Sequence, residues 1–247
     1  MLNETMPAGA ACEYESLGNG LYVCRSEIHG FGTDAFLLTG FCNYRAGDTV
    51  CDLGTGCGII PMLMQREKPP RNIYAVDIQP EAIGQLKMGI AKCERPVNIT
   101  PICADLRELW EGAPVHRLDL VTCNPPYFAE SAGFHSQNTA KEMARHEVSC
   151  EIGDICAAAA KLLRYHGRFC LCCRPERLTD VMTAMRANNI EPKRLRFVCK
   201  TPDSAPWLFL MEGMTHAKPF LRIEPALYMR SGSEMSAEAA ALCHFGE

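Results

Sequence analysis

Residues 48–58, Asp48-Thr49-Val50-Cys51-Asp52-Leu53-Gly54-Thr55-Gly56-Cys57-Gly58, decide the fold. The first six form a short run rich in apolar and β-branched side chains, which is typical of a strand. A glycine-rich turn follows directly, and the next stretch, IIPMLMQRE, has the composition of a helix. A strand, a glycine turn and a helix in this order predict an open α/β sheet with a ligand site at the turn. Gly54 and Gly56 lack a Cβ atom, so a ligand can approach the backbone closely there.

Short β-branched runs alternate with helical stretches beyond this turn, which predicts crossover units in a parallel sheet. Further strands are predicted at 72–78, 98–103, 118–123 and 167–173, followed by LRFVCK and WLFLMEG. Only PDSAP joins the last two, so we expect them to be antiparallel partners. The predicted fold is α/β, Rossmann-like and doubly wound, with a mostly parallel seven-stranded sheet and an antiparallel final strand. The turn Gly18-Asn19-Gly20 adds a short N-terminal hairpin.

A single domain is expected, because a chain of 247 residues with 47% apolar composition can bury one substantial core. We place this domain at 13–230. Residues 1–12 are predicted to be disordered, and 231–247 to be a flexible tail, although its alanines could form a short helix.

The sequence also predicts where in the cell the protein is found. No apolar run is long enough to span a membrane, and the N-terminus lacks the pattern of a secretory signal, so we expect a cytoplasmic protein.

Fifteen cysteines are present, of which Cys51, Cys103, Cys123 and Cys170 fall in predicted strands. We expect them to fill the core as small apolar residues, with disulfides disfavoured and no metal site.

The net charge of −4 gives no sign of nucleic-acid binding, but its distribution is uneven. Residues 161–200 carry ten basic and three acidic side chains, a local balance of +7. Two interpretations stand equal: a surface that meets a polyanion, or a solvated face whose charges are scattered in three dimensions.

Three carboxylates lie at or just after the ends of predicted strands, and two of them, Asp52 and Asp77, favour S-adenosylmethionine as the ligand. Asp52 can meet the ammonium group of its methionine part, whereas it would repel a pyrophosphate. Asp77 can accept hydrogen bonds from both ribose hydroxyls, a feature shared with NAD enzymes. Asp105 can accept one from the adenine amino group. The alternative for Asp77 and Asp105 is that each caps the turn that follows it.

The most specific motif is Asn124-Pro125-Pro126-Tyr127, directly after a predicted strand. An amino group conjugated to a purine or a carbonyl is a poor nucleophile. If the Asn124 amide oxygen and the Pro125 carbonyl accept its two N–H bonds, its lone pair points at the methyl donor and the developing charge is stabilised. The prolines fix the turn beforehand, and Tyr127 can stack on a planar substrate. An ordinary proline-rich turn is the alternative.

The motifs DLGTGCG, VDI, CADL and NPPYF, in this order, resemble the class I amino-methyltransferases, and HGFGTDAFLL at 29–38 resembles their N6-adenine branch. Together with ARHE, GRFCLCCRPERL and RLRFV, they make the chain similar, over about residues 16–229, to tRNA (adenine-N6) methyltransferases that act on the adenosine beside the anticodon of valine tRNA. The resemblance implies a class I methyltransferase fold, S-adenosylmethionine as cofactor, tRNA as partner, and a cofactor-contacting segment within 13–45.

The same resemblance assigns residues to roles. Cofactor contacts are implied at Thr33, Asp34, Asp52, Gly54, Gly56, Asp77, Ile78, Asp105, Leu106 and Asn124. Catalysis is implied for Asn124, Pro125, Pro126 and Tyr127. Substrate contacts are expected at Tyr127 and Phe128 in the turn, and at Lys141 and Arg145 in the polar segment after it, where Arg145 could equally fix the segment to the domain.

Other functions remain open from the residues. An Asn-Pro-Pro-Tyr turn also serves protein glutamine methyltransferases, but those carry a helical domain before the glycine turn, where this chain has 51 residues that read as a hairpin. A DNA adenine methyltransferase would need a target-recognition domain, and none is visible. A non-catalytic module that binds S-adenosylmethionine or RNA would not need Asn124 and Tyr127.

Overall fold

The computed structural model describes residues 12–26, 29–125 and 150–243. The strands are β1 Glu13–Gly18, β2 Leu21–Arg25, β3 Thr49–Leu53, β4 Asn72–Asp77, β5 Ile99–Cys103, β6 Leu118–Cys123, β7 Leu163–Cys173, β8 Ile190–Cys199, β9 Pro206–Thr215, β10 Arg222–Ile223, β11 Leu227–Tyr228, β12 Arg230–Ser231 and β13 Glu234–Met235. The helices are α1 Thr33–Phe41, α2 Ile59–Met64, α3 Pro80–Lys92, α4 Ile152–Leu162, α5 Leu178–Ala187 and α6 Ala237–Cys243.

The central sheet has the strand order β10-β8-β9-β7-β6-β3-β4-β5. Strands β3 to β7 pair in parallel, while β9 is antiparallel to both β7 and β8. This confirms the predicted doubly wound sheet of seven long strands with an antiparallel final strand. Two short strands that we did not predict, β10 and β11, extend the sheet beside β8.

The carboxyl ends of the parallel strands create the site. Chain order reverses between β3 and β6, which are neighbours in the sheet. Leu53 at the end of β3 is in register with both Val76 of β4 and Cys123 of β6. The turns that follow these three strands therefore meet at one edge, at the switch point where open α/β sheets bind ligands.

The N-terminal hairpin is present as predicted, with β1 and β2 antiparallel. It packs against α3 at Gly89, where an added Cβ would lie 3.1 Å from the Tyr22 carbonyl oxygen. The close approach of this helix to the hairpin backbone requires a residue without a side chain.

The cysteines confirm the expectation of a cysteine-rich core with two corrections, a disulfide and the exposure of Cys103. Cys12 and Cys24 form a disulfide across the hairpin, a bond that we regarded as disfavoured. The other thirteen are free, and ten of these are buried, Cys51, Cys123 and Cys170 among them. Cys103 is exposed. Within the described residues, no group of three or more His, Cys, Asp or Glu side chains is arranged to hold a metal ion.

Up to Cys243, the C-terminal segment corrects the expectation of a flexible tail and has the short helix that its alanines allowed, while 244–247 lie outside the described residues. The hairpin β12–β13 and helix α6 are formed, and Ala239 and Cys243 of α6 are buried. The helix packs on α1 at Gly40, where an added Cβ would lie 2.3 Å from Leu242 Cδ2. The missing side chain of Gly40 therefore leaves the space that Leu242 fills.

No helix in the described parts of the chain is long and apolar enough to cross a membrane.

Candidate active site

The three glycines of the turn after β3 have two different structural roles. Gly54, Gly56 and Gly58 all have positive φ, at +68°, +55° and +83°. A Cβ on Gly54 or Gly56 would meet no atom within 4 Å, whereas a Cβ on Gly58 would lie 2.3 Å from Leu86 Cδ1. Gly58 thus allows α3 to pack against the turn, and Gly54 and Gly56 border open space.

Asp77 at the end of β4 holds the glycine turn in place. Its Oδ2 accepts a hydrogen bond from the Gly56 backbone N–H at 2.8 Å, and its Oδ1 accepts one from the Gln79 N–H at 2.9 Å. The turn-capping alternative for Asp77 is therefore observed. Each carboxylate oxygen has a further lone pair, so contact with ribose hydroxyls stays a prediction.

Asp52 is buried beneath the turn, with 1% of its surface exposed. The Thr122 hydroxyl donates a hydrogen bond of 2.6 Å to its Oδ1. Burial raises the pKa of Asp52 to about 7, although the hydrogen bond from Thr122 opposes this shift. The Thr55 hydroxyl lies close enough to lower the pKa of Asp52 as well. Neither Oδ2 of Asp52 nor the Thr55 hydroxyl forms a hydrogen bond of full geometry with a described residue, and both atoms are buried. A buried carboxylate oxygen in this state is suited to a cationic ligand group.

The residues expected around the adenine differ in their surroundings. Ile78, directly after β4, is 38% exposed. Leu106 is half-buried and packs against the core face formed with α4. Asp105 makes an ion pair with Arg107 at 2.5 Å, and this guanidinium lowers the pKa of the carboxyl group. The capping alternative also holds for Asp105, which accepts the Arg107 backbone N–H.

Thr33 and Asp34 begin helix α1. Thr33 is exposed and Asp34 is half-buried in the first turn of the helix. Helix α1 packs on α2, whose first residue follows Gly58 directly. The segment from 33 therefore lies beside the element that leaves the glycine turn, and its contact with the cofactor stays a prediction.

Asn124 and Pro125 follow β6, next to the glycine turn in the sheet. Pro125 is buried and Asn124 is half-buried. The Sγ of Cys172, on neighbouring β7, donates a hydrogen bond of 3.0 Å to Asn124 Oδ1. Pro126, Tyr127, Phe128, Lys141 and Arg145 lie outside the described residues.

The sequence reasoning missed two partners of the site, Thr122 and Cys172. Thr122 lies opposite Asp52, and Cys172 is level with Asn124, because the parallel registers pair Asp52 with Thr122 and Cys123 with Leu171. The strands themselves were predicted, but their register cannot be read from buried runs of similar apolar composition.

Most of the basic residues in the stretch 161–200 are paired with acidic side chains. Six of its ten basic residues are held in ion pairs with acidic side chains, namely Arg164, Arg168, Arg177, Arg186, Arg194 and Arg196. Arg194 is buried between Glu212 and Glu224. This pairing favours the interpretation of scattered charges over that of a surface that meets a polyanion.

Comparison with known proteins assigns the family. The sequence model of the methyltransferase small domain matches residues 31–176. The tRNA1(Val) (adenine(37)-N6)-methyltransferase of Bacteroides thetaiotaomicron is 30% identical over 176 residues, covering 71% of this chain and 72% of the relative. The protein of the same name from Citrobacter koseri is 31% identical over 182 residues, covering 73% of each. The chain belongs to the tRNA1(Val) (adenine-N6)-methyltransferase family.

Solved structures agree on the fold. A predicted O-methyltransferase from Agrobacterium tumefaciens superposes with a TM-score of 0.65 at 18% identity, covering 85% of this chain and 94% of that one. TYW2 of M. jannaschii in complex with AdoMet gives a TM-score of 0.53 at 14% identity, covering 85% and 89%. This member of the tRNA1(Val) (adenine-N6)-methyltransferase family therefore has the class I methyltransferase fold.

S-adenosylmethionine is the cofactor of this methyltransferase family, and the site fits it. Open space borders Gly54 and Gly56, the unpartnered Oδ2 of Asp52 suits the methionine ammonium, and exposed Ile78 offers an apolar surface for the adenine. The residues that would hold it are those of the glycine turn together with Asp52, Asp77 and Ile78.

Proposed function

We propose that the protein methylates N6 of an adenosine in tRNA, the adenosine beside the anticodon of valine tRNA, and that Asn124 holds the target amino group. The placement of Asn124 carries this proposal. Leu53 and Cys123 are in register on adjacent strands, about 5 Å apart, so the residues that follow them, Gly54 and Asn124, leave the sheet side by side at the same edge. A substrate amino group at Asn124 would therefore lie next to the cofactor cleft.

The chain's own residues supply orientation rather than a strong base. S-adenosylmethionine, when bound, supplies an electrophilic methyl group on its sulfonium. Asn124 Oδ1 and the Pro125 carbonyl would accept the two N–H bonds of the substrate, which localises its lone pair and stabilises the charge that forms on nitrogen. The proton leaves after the transfer, so no residue needs to remove it first. Tyr127 would stack on the base.

We propose tRNA as the substrate because the relatives are named as tRNA methyltransferases. The segment after the catalytic turn, with Phe128, Lys141 and Arg145, is our candidate for contact with the RNA. A base in a strained anticodon loop is already partly unstacked, which lowers the cost of moving it into the site. A tRNA substrate would place the protein in the cytoplasm.

Transfer of radiolabelled methyl from S-adenosylmethionine to unmodified total tRNA tests the proposal. A glutamine-bearing release-factor protein and duplex DNA serve as parallel acceptors. Label recovered as N6-methyladenosine from valine tRNA is the expected result. Label in the protein acceptor alone would reassign the enzyme to glutamine methylation, and label in DNA alone would reassign it to DNA.

Replacing the catalytic amide gives a second prediction. Asn124→Ala removes the acceptor for the substrate amino group but leaves the glycine turn and Asp77 intact. We expect kcat to fall by about 100-fold or more, as for loss of one preorganised group in other enzymes, with cofactor Kd within about threefold of wild type.

Asn188→Ala, at the end of helix α5 and remote from the site, is the matched control. Equal loss of cofactor binding and turnover in Asn124→Ala would contradict the role given to Asn124.

A further inference from the structure

Cys172 and Asn124 are brought together by the register of two parallel strands. Cys123 of β6 pairs with Leu171 of β7, so the next residue on each strand lies at the same level. Cys172 is fully buried, and its Sγ lies 3.0 Å from Asn124 Oδ1. This separation is short for a contact that involves sulfur, and the thiol is the donor because an amide oxygen can only accept.

The orientation of the Asn124 amide matters for the proposed reaction. The terminal torsion of an asparagine side chain has broad and roughly two-fold preferences, so its oxygen and nitrogen can exchange places. In the exchanged orientation, the amide would direct N–H groups at the substrate amino group, whose hydrogens need an acceptor. A group that selects one orientation therefore increases the fraction of molecules able to react.

We propose that Cys172 is a positioning residue, whose buried thiol fixes the Asn124 amide with Oδ1 available to the substrate amino group. An amide oxygen has two lone pairs, so Oδ1 can accept from the thiol and from the substrate together. A thiol is a weak donor and leaves most of the acceptor strength of the oxygen for the substrate. This inference rests on the proposed role of Asn124.

Cys173 provides a matched control. It is the next residue on the same strand, and its side chain packs into the core on the other face of the sheet, with Val181 and Met185 of α5. Cys173→Ala and Cys172→Ala thus remove the same atom from neighbouring positions, and only the second removes the contact with Asn124.

The test is steady-state kinetics of tRNA methylation with full-length protein, together with calorimetric Kd for S-adenosylmethionine. We expect Cys172→Ala to lower kcat about three- to tenfold, the range for loss of one buried hydrogen bond, with KM for tRNA and cofactor Kd nearly unchanged. Cys172→Ser keeps a donor and is expected to restore kcat to within about threefold of wild type. Cys173→Ala should retain the wild-type kcat.

Three results would overturn the inference: a wild-type kcat in Cys172→Ala, an equal loss in Cys172→Ala and Cys172→Ser, or an equal loss in Cys173→Ala. Thermal unfolding of each variant separates a loss of folded protein from a loss of kcat. If wild-type protein methylates a different acceptor, the proposed function fails, and the same four proteins are compared on that acceptor. The two failures are therefore distinguishable.

Discussion

At the scale of single residues, the protonation of Asp52 is expected to make cofactor binding depend on pH. Its carboxyl group is buried, and its pKa is about 7 rather than 3.8 because burial disfavours the charged form. The methionine ammonium of the cofactor would favour the ionised form. Binding of S-adenosylmethionine should therefore be accompanied by loss of a proton from Asp52 at pH values below about 7.

This coupling predicts a pH-dependent affinity. A ligand that binds only the ionised carboxylate loses affinity as pH falls through the pKa, by roughly tenfold for each pH unit below it. We expect the calorimetric Kd for S-adenosylmethionine to rise about tenfold between pH 8 and pH 6. Asp52→Asn should bind more weakly at pH 8 and show a flat profile. A flat profile for the wild-type protein would show that the ionised Asp52 is not required.

At the scale of elements, the sequence was most informative where one segment determines its own structure. The glycine turn, the alternation of strands and helices and the hairpin at Gly18-Asn19-Gly20 each depend on local composition, and all three are confirmed. The edge strands β10 and β11 were missed, and the tail helix α6 was considered only as an alternative to a flexible tail. Each of these has few residues and is stabilised by contacts with distant parts of the chain, which a local pattern does not contain.

In the candidate site, too, features set by local composition were predicted and features set by distant contacts were not. Asp52, Asp77 and Asn124 were placed correctly at the carboxyl ends of strands, because strand ends can be located from composition. Their partners Thr122, Gly56 and Cys172 depend on register and on turn geometry. The ion pairs that neutralise the basic segment 161–200 reach across the fold to Asp48, Asp119 and Glu238, which linear charge counting cannot foresee.

Helix α6 gives a prediction at this scale. Leu242 packs against Gly40 of α1 and is half-buried, so Leu242→Ala should lower the free energy of unfolding by about 1–2 kcal/mol, less than for a fully buried leucine. Glu238 lies on the same helix and pairs with Arg196, but its side chain is 55% exposed. Glu238→Gln should therefore cost less than about 1 kcal/mol. Urea denaturation measures both, and the reverse ranking would mean that α6 is held by charge rather than packing.

At the scale of the whole molecule, tRNA must be bound by a protein of net charge −4 whose basic segment is largely paired internally. We expect the contacts with tRNA to lie at the carboxyl edge of the sheet, where Asn124 is. Lys200 is exposed at the carboxyl end of β8, at that edge. Arg164 lies near the amino end of β7, at the opposite edge, and pairs with Asp119 at 2.6 Å.

A comparison of these two cations tests where the RNA binds. Lys200→Gln should weaken tRNA binding several-fold and reduce the slope of log Kd against log salt by just under one, the effect of one lost phosphate contact. Arg164→Gln should leave both quantities unchanged within about twofold. Filter binding at several salt concentrations supplies the data. A larger effect for Arg164 would place the RNA on the other edge of the sheet.

The two hydrogen bonds by which Asp77 holds the glycine turn have a thermodynamic consequence. Because the Gly56 and Gln79 amides are bonded to the protein's own carboxylate, the conformational entropy of this turn is lost when the chain folds and not when the ligand arrives. Cofactor association should then show a heat-capacity change that matches the surface covered by the ligand alone, without a contribution from ordering the turn. The cleft would behave as a rigid receptor, in which affinity is set by fit and charge.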